Sequence, residues 1–164
     1  GWQVMALQSA RVAGLNVPEE TLELSGHYLD TVMSQDGVFY SYQKGRRPTH
    51  VMTAEALLCR MYSGWTLDNP ELKAGIQSLV EKNPPQRKDT NIYYWYYATQ
   101  VMFHMRGENW DSWNKRLHPL LTSSRLSLWH CPRPLLVLVL ALQKSPLIPS
   151  SRSSRDDYSS LSRR

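Results

Sequence analysis

The segment MTAEALLCRMYSG, residues Met52–Gly64, occurs in two further versions along this chain of 164 residues. WQVMALQSARVAG spans Trp2–Gly14, and WYYATQVMFHMRG spans Trp95–Gly107. Each copy is apolar on nearly every side of a helix, and each closes on a glycine. A helix that is apolar all round is typically buried, and glycine commonly ends a helix because it adopts the left-handed conformation without a steric penalty. The sequence therefore predicts three buried helices with glycine stops.

A second type of helix is expected after each copy. Pro18 and Pro70 are followed by glutamates, and both features are typical of a first helical turn. These helices should run to about Val32 and Val80, and Asn109–Leu121 should supply the third. Their apolar residues recur on one face only, which predicts an outer side in contact with water. The expected core stripes are Leu22, Tyr28, Leu29 and Val32, then Leu72, Ile76, Leu79 and Val80, then Trp110, Trp113, Leu117 and Leu121.

These helix pairs recur every 40 to 50 residues. Units of that length cannot bury their apolar faces alone, so they stack on their neighbours. The predicted fold is all-α, with about three stacked helix hairpins whose inner helices are covered by outer ones. Small residues share one repeat position, which permits close approach of the inner helices: Ala6, Ala56 and Thr99. Longer loops are expected at Ser34–Pro48 and Asn83–Thr90.

Charge and composition divide the chain into two segments. Residues 1–122 carry 12 basic and 12 acidic residues, so the net charge of +5 lies wholly in residues 123–164. The balanced segment gives no indication of nucleic-acid binding. Residues 123–164 contain 11 Ser, nine Leu and six Arg, which predicts a disordered, low-complexity tail with one short helix at most, over Pro134–Gln143. We hypothesise a shifted reading frame or a misjoined end there; the alternative is a Ser/Arg-rich tail that binds anionic partners.

Targeting and covalent signals are sparse. The longest apolar run, Leu135–Leu142, has eight residues, well short of the roughly 20 that span a bilayer. No membrane span is therefore predicted. The chain begins at Gly1 inside the first repeat, which suggests a fragment of a longer protein and leaves localisation and oligomeric state open. Cys59 and Cys131 define no disulfide framework.

Four strings carry a resemblance to the bacterial prenyltransferase/squalene-oxidase repeat proteins: GWQVMAL (Gly1–Leu7), TAEALLCRMYSGW (Thr53–Trp65), YYWYYATQVMFHM (Tyr93–Met105) and ENWDSWN (Glu108–Asn114). Gln35–Phe39 is also similar to that family's glutamine–tryptophan turn, with Phe39 where tryptophan is usual. The resemblance covers roughly residues 1–122. It implies the α/α toroid shared by terpenoid cyclases and protein prenyltransferases, here as a partial toroid.

The motifs for the reactions of that superfamily are not seen. Squalene–hopene cyclases protonate an alkene through an Asp-x-Asp-Asp motif, and Asp156-Asp157 lacks that pattern. Protein prenyltransferases hold zinc with Asp, Cys and His, but Cys59 has no companions at ligand spacing. We therefore assign no catalytic residue, metal or cofactor. The favoured function is a non-catalytic repeat module for binding or scaffolding. The alternative is a fragment of a cyclase-like or prenyltransferase-like isoprenoid enzyme whose catalytic motif lies outside this chain.

A candidate ligand wall lies on the third inner helix. Tyr93, Tyr97, Gln100 and His104 recur at helical spacing and share one face. In a toroid such a wall could hold an isoprenoid or other apolar ligand, or stabilise a carbocation by cation–π attraction. The competing interpretation is an ordinary helix–helix interface. The expected partner of the chain is such an apolar ligand or another protein.

Three further positions carry alternatives. Arg46 and Arg47 are a candidate anion site in an exposed loop, which could equally be a solvated surface. Glu55 lies in a very apolar helix, where it could act as an acid if its pKa were raised by burial; more often such a residue pairs with an arginine such as Arg60. Cys59 is expected to be a buried packing thiol.

Overall fold

The computed structural model of this chain describes residues 1–122. These residues form six helices and no strand: α1 (Trp2–Val12), α2 (Glu19–Val32), α3 (His50–Tyr62), α4 (Pro70–Lys82), α5 (Ile92–Met105) and α6 (Gly107–Thr122). The prediction of an all-α fold is confirmed for this part of the chain. The predictions for residues 123–164, including the short helix at Pro134–Gln143, lie outside the described residues.

The helices form three consecutive hairpins. α3 packs against both α1 and α5, while α2, α4 and α6 each pack against the helix that precedes them. α3 and α5 run parallel: near their first turns the Tyr93 hydroxyl donates to Glu55, and near their ends the Tyr62 hydroxyl donates to Gln100. α5 and α6 run antiparallel, since Trp113 bonds Thr99 while Trp110 contacts Phe103, nearer the end of α5. The arrangement is a helical repeat.

The first two glycine stops share the same hydrogen-bond pattern and a positive φ. Gly14 has φ +75° and Gly64 has φ +97°. In each case the glycine N–H bonds the carbonyl three residues back, and the next N–H bonds the carbonyl five residues back, at 2.9 to 3.2 Å. This is the Schellman pattern, which satisfies carbonyls that the end of a helix leaves without partners. The prediction of glycine stops is confirmed for α1 and α3.

The third stop differs from the prediction. α5 ends at Met105, the left-handed residue is Arg106 (φ 59°), and Gly107 (φ 56°) is the first residue of α6. Two successive residues with positive φ reverse the chain within a single step. Gly107 is therefore the junction of two helices rather than the close of one with a linker after it.

Short polar side chains cap the start of three of the six described helices. Thr49, Asn69 and Asn91 each accept a hydrogen bond from a backbone N–H of the first turn, at 3.2, 2.7 and 3.0 Å. Such caps satisfy donors that have no partner within the helix. Pro70 is the first residue of α4, as predicted, and Pro18 immediately precedes α2. α4 continues to Lys82, two residues beyond the predicted end.

Burial separates the three inner helices. α3 and α5 bury most of their residues, but α1 buries Val4 alone. The prediction that all three inner helices are buried is therefore wrong for α1, because it is packed by α2 and α3 only. The same reason applies to the shared small position: Ala56 and Thr99 are buried and Ala6 is exposed.

The outer stripes follow the expected faces, with departures at α2. Tyr28 is 55% exposed instead of buried, and Leu22 is half-buried. Buried stripe residues are Leu29 and Val32 on α2, Leu72, Ile76 and Leu79 on α4, and Trp113, Leu117 and Leu121 on α6. Val80 and Trp110 pack at the edge of the core. The apolar spacing thus identified the inward face of α4 and α6 well and that of α2 partly.

The loop between α2 and α3 folds back onto the core. Ser34 donates to Asp36, whose carboxylate also accepts the Val38 N–H, and these hydrogen bonds lower the pKa of Asp36. Gly37 takes φ +73° at the turn. Tyr40 is then fully buried, and its N–H donates to Thr53 Oγ1 on α3 at 3.1 Å. Of the tyrosines that follow this turn, Tyr40 is therefore part of the core, whereas Tyr42 stays 70% exposed.

Candidate functional site

The four residues of the predicted ligand wall do not share one environment. Tyr97 is completely buried, Gln100 is 8% exposed, and Tyr93 is 39% exposed. His104 is half-buried beside Tyr62 of α3, with ring centroids 5.9 Å apart. The Tyr93 and Tyr97 rings meet edge to face at 4.9 Å. Within residues 1–122 this face of α5 packs largely against α3.

Burial shifts the pKa of ionisable groups on this face of α5 and on the facing side of α3. Burial raises the pKa of Tyr97 and of Tyr62. Burial also lowers the pKa of His104, and the nearby positive charge of Arg106 lowers it further. A buried imidazole with a lowered pKa is neutral at physiological pH. These shifts follow from packing between α3 and α5.

Glu55 bonds its neighbours across the repeat and does not pair with Arg60. Its side chain is 12% exposed, and its carboxylate accepts the Tyr93 hydroxyl at 3.0 Å. The Gly1 nitrogen lies 3.1 Å from Glu55 Oε1. Glu55 therefore joins α3 to α5 and to the start of α1. The alternative of an acid poised in an apolar pocket has no support from these contacts.

Cys59 is the buried thiol that the sequence predicts. It is 1% exposed on α3, and burial raises its pKa to about 11. A thiol in this condition stays protonated at neutral pH and is a poor nucleophile. The other cysteine of the chain, Cys131, lies outside the described residues.

Arg60 is the most heavily engaged polar residue of α3. Its guanidinium donates to Asp30 Oδ1 at 2.5 Å and to the Gly26 carbonyl at 3.3 Å, both on α2. Its Nε donates to the Tyr40 hydroxyl at 3.2 Å. The guanidinium also lies over the Trp65 ring, 4.7 Å from the centroid, a cation–π contact. Arg60 thus ties the second hairpin to the first.

An open cleft of about 650 Å³ lies where the α2–α3 loop meets the end of α4. Arg47 and Lys82 both line it. Lys82 sits over the Phe39 ring, 5.8 Å from the centroid. Neither cation has a carboxylate within 4.0 Å among residues 1–122. Apolar surface from the half-buried Phe39 and Val51 forms part of the same lining.

The first turn of α3 contributes the remaining polar surface. Thr49 and His50 line the cleft, and the Thr49 side chain caps the Met52 N–H, two positions beyond His50. The His50 ring meets Tyr94 edge to face at 4.6 Å. Its Nε2 is buried and has no hydrogen-bond partner within residues 1–122. A helix start adds partial positive charge to the field of the two side-chain cations.

The structure separates the two residues of the predicted anion site. Arg47 lines the cleft and Arg46 does not, although both are exposed. Sequence reasoning did not identify Lys82 at all. Lys82 lies 35 residues after Arg47, at the end of α4, and no local sequence pattern connects it with the α2–α3 loop.

No protein-family model, curated protein or solved structure matches this chain. Within residues 1–122, no three His, Cys, Asp or Glu side chains gather where they could hold a metal ion. None of the six helices combines the length and apolar character that crossing a membrane requires.

Proposed function

We propose that this chain is a non-catalytic helical-repeat module with a binding or scaffolding role. The observation that carries the proposal is that the polar residues of α3 are engaged in contacts that hold the fold together. Glu55 and Arg60 each bond a neighbouring repeat, and the thiol of Cys59 is sealed in the core. Residues employed in this way determine how one hairpin lies on the next. The exposed loops and helix ends are then the part of the surface left for partners.

We propose further that the module is part of an α/α toroid, the fold of the prenyltransferase/squalene-oxidase repeat proteins that its sequence resembles. Stacked hairpins with parallel α3 and α5 are compatible with an arc of an α/α toroid. In that arrangement further hairpins would continue the row, and the side of α1 that no described helix covers would receive one. Exposed Val12 and Leu15, at 80% and 64%, lie at the end of that first inner helix. The ligand or partner would be an apolar molecule or another protein.

A turnover assay tests the proposal against an isoprenoid enzyme. The purified chain would be incubated with squalene and, separately, with farnesyl diphosphate and a cysteine-containing peptide, and products would be analysed by mass spectrometry. The module predicts no product above a heat-denatured control. Product formation that Glu55→Gln or His104→Gln abolishes, with helical circular dichroism retained, would overturn it.

The stacking role is tested by fusing one more hairpin to the chain. A scaffold that continues a row of hairpins should gain thermal stability when a following or preceding repeat is supplied, because burial of its open edge adds apolar contacts. The measurement is the midpoint of thermal unfolding of the chain when fused to an additional hairpin of the α3–α4 sequence. An unchanged midpoint would count against the stacking role.

A further inference from the structure

We infer that the cleft between the α2–α3 loop and the end of α4 binds a phosphate monoester that carries an apolar group. This inference deepens the proposed function, on whose stacked-hairpin module it rests, by naming a class of ligand. The cleft is distinct from the predicted ligand wall on α5, because none of the four wall residues (Tyr93, Tyr97, Gln100 and His104) lines it.

Charge is the first reason. Arg47 and Lys82 line the same cleft, and neither is neutralised by a carboxylate of residues 1–122. Two uncompensated cations suit an anion that carries close to two charges. A phosphate monoester has about that charge near neutral pH, and its three terminal oxygens accept several hydrogen bonds. Arginine binds such a group through two parallel N–H donors, and lysine binds it as a point charge.

The lining is the second reason. About 650 Å³ is within the range of small-molecule sites, which are mostly apolar with a few polar groups that fix orientation. Phe39 and Val51, both half-buried, supply apolar surface beside the cations. Inorganic phosphate would leave that apolar surface exposed to water. An ester with a short alkyl or aryl group would cover it and so gain from its burial.

The start of α3 is the third reason. Thr49 and His50, at the first turn of that helix, both line the cleft. The N-terminus of a helix carries partial positive charge, which adds to the attraction that Arg47 and Lys82 exert on an anion.

Isothermal titration calorimetry with hexyl phosphate tests the site. Inorganic phosphate and hexanol, the charged and the apolar half of that probe, are titrated separately as controls. Hexyl phosphate should bind saturably, and at least tenfold more tightly than either half. Arg47→Ala and Lys82→Gln should each weaken binding about tenfold, since each removes a charge-assisted contact. Arg46→Ala is the matched control, because Arg46 neighbours Arg47 but does not line the cleft; it should change affinity less than twofold.

Vesicles of phosphatidylcholine with or without phosphatidic acid distinguish a lipid headgroup from a free ester. Binding of hexyl phosphate in solution identifies the free ester, and binding to phosphatidic acid vesicles alone identifies the lipid. In both cases Arg47→Ala must reduce binding more than Arg46→Ala. Equal losses for the two variants, or no binding of either probe, would overturn the inference while leaving the turnover test of the module unaffected.

Discussion

Asp30 on α2 and Arg60 on α3 form an ion pair between the first and second hairpins, with Arg60 Nη2 2.5 Å from Asp30 Oδ1. The two partners differ in exposure: the Arg60 side chain is 5% exposed and the Asp30 side chain 55%. The pair therefore joins a buried cation to a carboxylate at the surface. Breaking it leaves a guanidinium that water reaches poorly, which costs more than loss of an exposed pair.

Asp30→Ala should lower the free energy of unfolding by about 2 kcal/mol, because a hydrogen bond to a charged group is lost and the buried donor is left without its partner. Asp30→Asn retains an acceptor and should cost about half as much. Urea unfolding followed by circular dichroism measures both. Equal and negligible effects would show that the pair does not hold the two hairpins together.

Gly75 and Gly26 both lie inside helices but should respond in opposite directions to alanine. A Cβ at Gly75 would lie 2.9 Å from Leu57 Cδ1 and 3.2 Å from the Val38 carbonyl oxygen, whereas one at Gly26 meets nothing within 4 Å. Gly75→Ala should lower the free energy of unfolding by about 1–2 kcal/mol through overpacking. Gly26→Ala should raise it by about 0.5–1 kcal/mol through helix propensity. Thermal unfolding of the two variants side by side checks the contrast, and stabilisation by both would contradict the close contact of α4 with α3.

Thr99 and Trp113 join an inner helix to an outer one through a buried hydrogen bond, with Trp113 Nε1 3.0 Å from Thr99 Oγ1. Thr99→Val keeps the shape but leaves the indole N–H without an acceptor, which should cost about 1–3 kcal/mol. Thr99→Ser keeps the hydroxyl and should cost less. Urea unfolding monitored by tryptophan fluorescence compares them. A valine variant as stable as the serine variant would show that this bond contributes little.

Cys59 should make stability fall at alkaline pH. Its pKa is raised to about 11 by burial, so the folded state holds the thiol proton more tightly than the unfolded state does, and the associated stability is lost as pH rises from about 9 towards 11. Between pH 8 and pH 10.5 the wild type should lose about 2 kcal/mol more than Cys59→Ala does. Other groups titrate in both proteins and cancel in the comparison. Parallel pH profiles for the two proteins would contradict the buried thiol.

The helices could be predicted because their signals are local. Thr49, Asn69 and Asn91 cap the helices beside them, and Gly14 and Gly64 end theirs through bonds that stay within six residues. The prediction failed at Gly107, where a positive φ at Arg106 moved the reversal one residue earlier. It also failed for α1, since burial depends on neighbours that an apolar pattern does not specify.

The candidate site was less predictable for the same reason. Arg47 stands out as part of a basic loop, but Lys82 enters the cleft only because α4 lies beside that loop. Arg60 likewise finds Asp30, 30 residues earlier, and not Glu55 five residues earlier on its own helix. Pairings of this kind are decided by packing between repeats, which sequence spacing alone does not give.

The Schellman ends of α1 and α3 have one consequence for how such a chain is assembled. Because each helix end is encoded in a few consecutive residues, the turn inside a hairpin forms independently of the hairpins beside it. Tandem duplication of the encoding DNA would therefore copy the turn inside each hairpin intact, while contacts between hairpins such as Asp30–Arg60 would still depend on which repeats become neighbours.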